Sequence, residues 1–222
     1  MLQKREALNR SEEKPFGLQR NHNYYISSKY LSPKRMSSYG LQYRLAINTN
    51  CSTFLNIGSA NWILTTFLTQ QGKYVVELDI DNATNPSVLG LLPYLPFEDS
   101  SFEVVMCFQV LEHLPFNLLA NCMNELRRIT SHYIIISLPD QTLTIYEKIK
   151  RFIYILIHNP KNLYLFNKKF IDQEHFWELG INGVSFDNIK KISEDLKINI
   201  TSHFRNNLFD YHHFILLEKM NS

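Results

Sequence analysis

Residues 53–79 read TFLNIGSANWILTTFLTQQGKYVVELD, and the alternation of apolar runs with turn residues in this stretch predicts the fold. The apolar runs at its two ends are typical of buried strands, and residues 61–71 between them have the pattern of a helix. Gly58 closes the first run and Gly72 ends the helix. A strand–helix–strand unit of this kind predicts two parallel strands covered by a helix.

The same alternation continues on both sides of this stretch. Before it, a helix is predicted over 32–47, with Ser32 as its cap and Pro33 at its first position. After it, apolar runs predict strands over 102–107, 132–137, 197–203 and 212–218, and helical patterns cover 115–129 and 186–196. Apolar strands that alternate with helices favour an α/β fold, a doubly wound and mostly parallel sheet covered on both faces.

The chain of 222 residues is long enough for one domain with a sizeable core. Residues 1–25 are polar and irregular, which predicts a flexible N-terminal segment, and 26–222 are expected to form a single domain. Within that domain, residues 140–185 interrupt the strand–helix rhythm with an apolar, aromatic insert. We expect this insert to form a small helical cap.

One face of the insert is apolar if it is helical, because one side then carries Ile145, Ile149, Phe152, Ile153 and Leu156. Such a face most commonly packs onto the domain. The alternatives are a lid, a contact with the edge of a membrane, or a surface over 143–157 that binds a second copy or a partner protein.

The composition argues against several classes of function. The chain has 23 Lys and Arg against 21 Asp and Glu, and the net charge of +2 is too small to indicate nucleic acid as a ligand. The three cysteines have no metal-type spacing, which favours a reducing compartment. No secretory signal and no apolar run of roughly 18 residues is visible, so no transmembrane segment is predicted and the expected location is the cytoplasm.

A ligand site is expected at one edge of the sheet. Ligands of doubly wound sheets bind outside the carboxyl ends of the strands. Here those ends are the Gly58 turn, Asp79, the loop 94–97 and the segment 108–113. The turn lets backbone N–H groups approach a ligand, and Asp79 can accept hydrogen bonds from the hydroxyl groups of a ribose.

Four segments around this edge carry a family resemblance: FLNIGSANWILTTFL at 54–68, VVELDID at 75–81, LPFEDSSFEVVMCFQVLEHLP at 95–115 and ELRRITSHYIIISLPD at 125–140. In composition and spacing they resemble bacterial class I S-adenosylmethionine-dependent methyltransferases, and the third is the most specific. Further segments at 32–43, 85–90, 174–189 and 211–219 resemble a type 11-like subgroup without an assigned substrate. The resemblance implies a Rossmann-like methyltransferase fold with seven strands and a final antiparallel hairpin.

The resemblance also implies which residues bind S-adenosylmethionine. The turn under the methionine moiety would consist of Gly58, Ser59, Ala60 and Asn61. Asp79 would bind the ribose hydroxyl groups, and Ile80 would pack against the adenine. The side of the methionine and its sulfonium would be lined by Phe108 and Gln109.

Three residues depart from the family pattern. Only Gly58 remains of a pattern close to G-x-G-x-G, and Ala60 costs roughly 1 kcal/mol if its position needs a positive φ. Trp62 is bulky enough to cap or partly fill the site. The other adenine face would contact Leu95 and its neighbours, among which Tyr94 replaces an aspartate of many relatives and could stack on the ring.

We therefore expect methyl transfer from S-adenosylmethionine to a small-molecule or saccharide-type acceptor. The alternative is a methyltransferase-fold protein that has lost cofactor binding and acts as a partner or regulatory subunit, which predicts a filled pocket with Trp62 inside. A nicotinamide-dependent oxidoreductase has no counterpart of segment 95–115. Nucleic-acid methylation is disfavoured because the chain lacks the N/D-P-P-Y/F tetrapeptide, the proline–cysteine nucleophile and a basic face.

His113 follows a predicted strand end, where it suits a general base, a substrate contact or a residue that only shapes the loop. No metal site is predicted, since such a site would need His175, His212 and His213 with Glu112 or Asp210. The two adjacent histidines of this set would lie on one strand and point to opposite faces. Trp177 suits either the core or a clamp over the site.

Overall fold

The computed structural model describes residues 22–142, 149, 152–154, 156–157, 172 and 174–220. The strands are β1 (Thr53–Ile57), β2 (Tyr74–Asp79), β3 (Val88–Leu89), β4 (Phe102–Phe108), β5 (Thr130–Pro139), β6 (Ile198–Asn206) and β7 (Phe209–Lys219). The α-helices whose bounds lie among the described residues are α1 (His22–Tyr25), α2 (Pro33–Ile47), α3 (Ile63–Gln70), α4 (Leu119–Ile129) and α5 (Phe186–Asp195). Short 3-10 helices cover Asn82–Thr84, Leu111–His113 and Phe116–Leu118.

The strands form a seven-stranded sheet in the order β3-β2-β1-β4-β5-β7-β6. β1 pairs in parallel with β2 and β4, and β3 and β5 extend the parallel part on either side. β7 runs antiparallel to both β5 and β6. The strand order reverses at β1, and the loops after β1 and β4 therefore open a crevice at the carboxyl edge. The predicted doubly wound fold and its final antiparallel hairpin are confirmed.

Both faces of the sheet are buried, because successive side chains of a strand point alternately to two helical layers. On one face, Leu55 and Val105 belong to the apolar cluster that includes the inner side of α4. On the other face, Phe54 and Met106 belong to the cluster that includes residues of α2 and α3. The predicted apolar face of α4 is buried at Leu119, Cys122, Met123 and Leu126.

Several element boundaries differ from the prediction for local reasons. α3 begins at Ile63 rather than at 61, because the side-chain oxygen of Asn61 accepts the N–H of Ile63 at 3.3 Å and takes the place of a helical turn. β3 has two residues and therefore no periodic signal in the sequence. β5 follows α4 directly and begins at Thr130, so no loop separates the two elements.

Parts of two predicted segments lie outside the described residues. Residues 1–21 of the N-terminal segment are among these, and 22–25 form α1. Of the insert, the described residues 149, 152–154 and 156–157 are helical, and their large apolar side chains are 41–70% exposed. The expected burial of that face against the domain is absent at these positions, and Ile145 is not described. Within the described chain, no helix is both long and apolar enough to cross a membrane.

Candidate active site

The turn after β1 brings the backbone into the crevice. Gly58 has a φ of +69°, a left-handed conformation that favours glycine, and a Cβ atom there would lie 2.3 Å from Cγ2 of Val110. The N–H of Gly58 donates to the carbonyl oxygen of Leu78 at 2.8 Å, which ties the turn to β2. Both conformation and space therefore require the glycine that the sequence retains.

Ala60 occupies the same turn with a φ of +47°. This is the positive φ that makes alanine roughly 1 kcal/mol less favourable than glycine. The N–H of Ala60 donates to Oδ2 of Asp79 at 3.3 Å. The turn thus keeps a conformation suited to glycine although the glycine is missing.

Asp79 ends β2 with its side chain buried in the crevice. Oδ1 accepts the N–H of Asp81 at 3.0 Å, and Oδ2 accepts the N–H of Ala60. Burial raises the pKa of Asp79, and the backbone hydrogen bonds from Asp81 and Ala60 partly oppose that rise. Because a carboxylate oxygen has two acceptor sites, each oxygen keeps capacity for a ligand hydroxyl group.

Trp62 lies beside the crevice and does not fill it. The indole is 49% exposed, and its N–H donates to the carbonyl oxygen of Thr84 at 3.1 Å. The residue is absent from the lining of the cavity described next. A protein that has lost cofactor binding was expected to hold this indole inside the pocket. In the structure the indole lies outside the pocket.

A cavity of about 250 Å³ runs along the crevice. It is lined by most of the residues predicted to bind the cofactor: Gly58, Ser59, Ala60, Asn61, Asp79, Ile80, Phe108 and Gln109. Tyr94 and Leu95 lie outside it. A hydrogen bond of 2.9 Å from the N–H of Tyr94 to the carbonyl oxygen of Leu91 turns the loop outward, and Tyr94 is 83% exposed. Leu91 and Leu92 line the cavity on this side instead.

The other end of the cavity is built from distant parts of the chain: Tyr24, Tyr25, Tyr30, Arg35, His113, Asp172, Glu174, His175 and Tyr211. The guanidinium of Arg35 lies over the Tyr30 ring, 4.5 Å from its centroid. Of this set, the sequence singled out His113 as a site residue. Arg35 and Tyr211 lie in the segments 32–43 and 211–219 that carry the family resemblance, which gave them no role, and Tyr24, Tyr25 and Tyr30 precede these segments.

Two polar side chains, Asn61 and His212, hold the N-terminal helices over the cavity. The amide nitrogen of Asn61 donates to Oη of Tyr39 at 2.7 Å and to the carbonyl oxygen of Tyr25 at 3.2 Å. At the other side, Nε2 of His212 lies 3.4 Å from Arg35 and Nδ1 lies 2.9 Å from Oγ of Ser38. Arginine can only donate, so Nε2 accepts and Nδ1 carries the proton.

Glu112 lies fully buried behind the wall of the cavity, next to His113 and His175. Burial raises the pKa of Glu112 to about 7. Burial and the neighbouring His175 lower the pKa of His113. Each imidazole has a fixed partner: Nδ1 of His113 lies 3.0 Å from the carbonyl oxygen of Glu174, and Nδ1 of His175 lies 2.8 Å from Oε1 of Glu178.

The remaining sequence candidates lie away from the cavity. Trp177 is buried, donates to the carbonyl oxygen of Leu114 at 3.0 Å and packs edge to face on Phe116, so it belongs to the core. His213 lies 2.9 Å from Oδ2 of Asp140, whereas His212 contacts Ser38 of α2. The two histidines therefore point apart, as their adjacent positions on a strand predicted.

The fold and this crevice define a Rossmann-like methyltransferase architecture, and comparisons agree. Residues 55–133 match a family described as "Methyltransferase domain". Magnesium protoporphyrin IX methyltransferase from Synechocystis PCC 6803, solved with bound SAH, is 16% identical with a TM-score of 0.59, covering 84% of this chain and 83% of that one. The PH0226 protein from Pyrococcus horikoshii OT3 is 17% identical with a TM-score of 0.61, covering 92% and 100%.

A third solved structure, N-methyltransferase NodS from Bradyrhizobium japonicum WM9 in complex with S-adenosyl-L-homocysteine, is 9% identical with a TM-score of 0.57 over 86% of this chain and 89% of that one. Among curated proteins, no sequence matches the chain. The chain thus matches a methyltransferase domain over residues 55–133 and shares the fold of S-adenosylmethionine-dependent methyltransferases, as the motifs predicted.

Proposed function

We propose that this chain transfers the methyl group of S-adenosylmethionine to a nucleophilic atom of a small molecule, including a saccharide-type acceptor. The observation that carries the proposal is a continuous cavity, with Gly58 and Asp79 at one end and His113 and Arg35 at the other. Aromatic rings together with a few polar groups are typical of sites for small ligands that bear hydroxyl groups.

The residues at the first end fit the cofactor. Gly58 lines the cavity, and Asp79 keeps acceptor capacity for ribose hydroxyl groups. Oγ of Ser59 is buried and has no hydrogen-bond partner among the described residues, so a polar group of the ligand can satisfy it. Ile80 offers an exposed apolar side chain for the adenine.

When bound, S-adenosylmethionine supplies a methyl carbon whose bond to positively charged sulfur breaks as an acceptor lone pair attacks, with the bonding electrons kept by sulfur. The chain contributes alignment and exclusion of water. Nδ1 of His113 donates to the carbonyl of Glu174, so Nε2 keeps its lone pair. Since burial lowers the pKa of His113, the imidazole is neutral and can take up the proton that an acceptor hydroxyl loses.

Isothermal titration with S-adenosylmethionine and with S-adenosylhomocysteine tests the cofactor end. We expect both to bind, and Asp79→Asn to weaken binding at least about tenfold, because it removes the charge from hydrogen bonds to the ribose. Asp195→Asn, at an exposed residue of α5 outside the cavity lining, is the control and should change affinity less than about twofold. Absence of binding by the unmodified chain at millimolar ligand would refute the proposal.

The acceptor end requires a second experiment. The chain is incubated with S-adenosylmethionine and single hydroxylated or amine-bearing small molecules, and S-adenosylhomocysteine is measured by mass spectrometry. An accepted molecule should raise its formation above the level without acceptor and gain one methyl group itself.

A further inference from the structure

Three potential metal ligands converge at the acceptor end of the cavity. Glu112, His113 and His175 each contribute a ligand atom, and these atoms lie within 4.8 Å of one another. The first two lie on the short helix after β4, and the third lies near the end of the insert 140–185. A hydrogen bond of 2.8 Å from the N–H of Phe176 to the carbonyl oxygen of Glu112 joins the two segments. Chain segments some 60 residues apart are thus fixed around one point.

Both imidazoles are oriented as metal-binding histidines usually are. Nδ1 of His113 donates to the carbonyl oxygen of Glu174, and Nδ1 of His175 contacts the carboxylate of Glu178. That carboxylate also accepts the hydroxyl of Tyr211 at 2.8 Å and the side-chain amide of Gln141 at 2.6 Å. Partners at Nδ1 leave Nε2 of each ring for a ligand, which is the arrangement that fixes the tautomer of zinc-bound histidines.

The carboxylate of Glu112 gives an independent indication of a missing partner. The side chain is fully buried, and neither of its oxygens has a hydrogen-bond partner among the described residues. A buried carboxylate without a partner is costly, and a cation coordinated by it removes that cost.

We propose that Glu112, His113 and His175 bind a divalent transition-metal ion of the zinc type at the acceptor end of the cavity. Two imidazoles and one carboxylate are an established ligand set for catalytic zinc, which keeps a further position open. Zinc–nitrogen bonds of 2.0–2.1 Å place tetrahedral ligand atoms about 3.3 Å apart, so binding requires no pair of these atoms to approach by more than about 1.5 Å.

The inference rests on the proposed methyl transfer and deepens it. The open position of the ion faces the cavity through His113 and His175, where an acceptor oxygen can coordinate. Coordination lowers the pKa of a hydroxyl group, so the oxygen loses its proton to solvent and attacks the methyl carbon as an alkoxide or phenolate. When the ion is bound, the Nε2 lone pair of His113 coordinates it and no longer takes up a proton. His113 then orients the acceptor through the metal.

Metal binding is tested on the full chain, stripped with a chelator and titrated with CoCl2, then with ZnCl2. We expect one equivalent of Co²⁺ to give the visible absorption bands of a four- or five-coordinate ion, and Zn²⁺ to abolish them. His175→Ala and Glu112→Gln should lower the affinity by roughly 100-fold or more, and Glu178→Gln, a positioning change, by about 10- to 100-fold. His132→Ala, at an exposed histidine of β5, should leave the affinity unchanged.

Far-ultraviolet circular dichroism of each variant shows whether it folds, and Glu112→Gln keeps the side-chain shape. The proposal is overturned if the folded chain binds neither Co²⁺ nor Zn²⁺, or if Glu112→Gln and His175→Ala bind as the unmodified chain does. Titration with S-adenosylhomocysteine without metal separates the two proposals. Cofactor binding with no metal binding refutes the metal site alone, and metal binding with no cofactor binding refutes the methyl transfer alone.

Discussion

The two ends of the cavity are built in different ways. The cofactor end comes from consecutive strand ends between 57 and 109, where short loops after β1, β2 and β4 deliver backbone and one carboxylate. The acceptor end combines residues 24, 25, 30, 35, 113, 172, 174, 175 and 211, which meet only in the folded chain. The difference teaches that a motif over neighbouring strand ends indicates their chemistry, whereas distant segments do not show from sequence that they meet, even where they resemble relatives.

The largest effect is expected from Gly58→Ala, compared with Gly72→Ala. Both glycines have a positive φ, but a Cβ at position 58 would lie 2.3 Å from Val110, whereas position 72 has nothing within 4 Å. We expect a loss in the free energy of unfolding of about 1 kcal/mol at position 72 and about 1–3 kcal/mol more at position 58. Urea denaturation measures both, and equal losses would show that space is no constraint on the cofactor turn.

Acid should weaken the contacts of His212 with Arg35 and Ser38, which hold the acceptor end of the cavity. Burial and the charge of Arg35 lower the pKa of His212 to about 3 in the folded chain, against about 6.5 when unfolded. Its contribution to stability is complete above about pH 6.5, and it is lost as the pH falls towards 3, because the unfolded chain binds the proton first.

The expected slope from this group is up to about 1.4 kcal/mol per pH unit between those values. Urea denaturation at several pH values measures it, and His212→Asn should flatten it. His132→Gln, at an exposed histidine, is the control and should leave the slope as it is. A slope that persists in His212→Asn would assign the acid sensitivity to another group.

Ala60→Gly tests the strain left in the cofactor turn. Because Ala60 has a positive φ, glycine should stabilise the fold by about 0.5–1 kcal/mol in urea denaturation. Ala83→Gly, in the short helix at Asn82–Thr84, should instead destabilise the chain slightly or leave it unchanged. If Ala60→Gly lowers stability as well, the turn does not favour glycine in solution.

The smallest effect is expected from Tyr94→Ala. The side chain is almost fully exposed and outside the cavity, so the affinity for S-adenosylhomocysteine should change less than about twofold. Leu91→Ala, which removes an apolar side chain from the cavity wall, should weaken binding several-fold. A large loss of affinity in Tyr94→Ala would instead support the contact between Tyr94 and the adenine that the sequence suggested.

The sequence predicted the sheet, the helical layers and the residues of the Gly58 turn, because these depend on local periodicity and on the edge where parallel strands end. It could not predict that Tyr94 points outward, since that depends on a backbone turn closed by Leu91. Nor could it place His175 beside Glu112, because the sequence of the insert 140–185 gives no signal for how the chain returns to the sheet before His175.

The hydrogen bonds of Asn61 join these two differently built halves. Its backbone belongs to the turn after β1, and its amide holds Tyr25 and Tyr39 of the covering helices. The covering segments precede the first strand and contact this turn through the asparagine side chain. Loss of that side chain would therefore loosen the covering helices while the strands of the sheet keep their pairing.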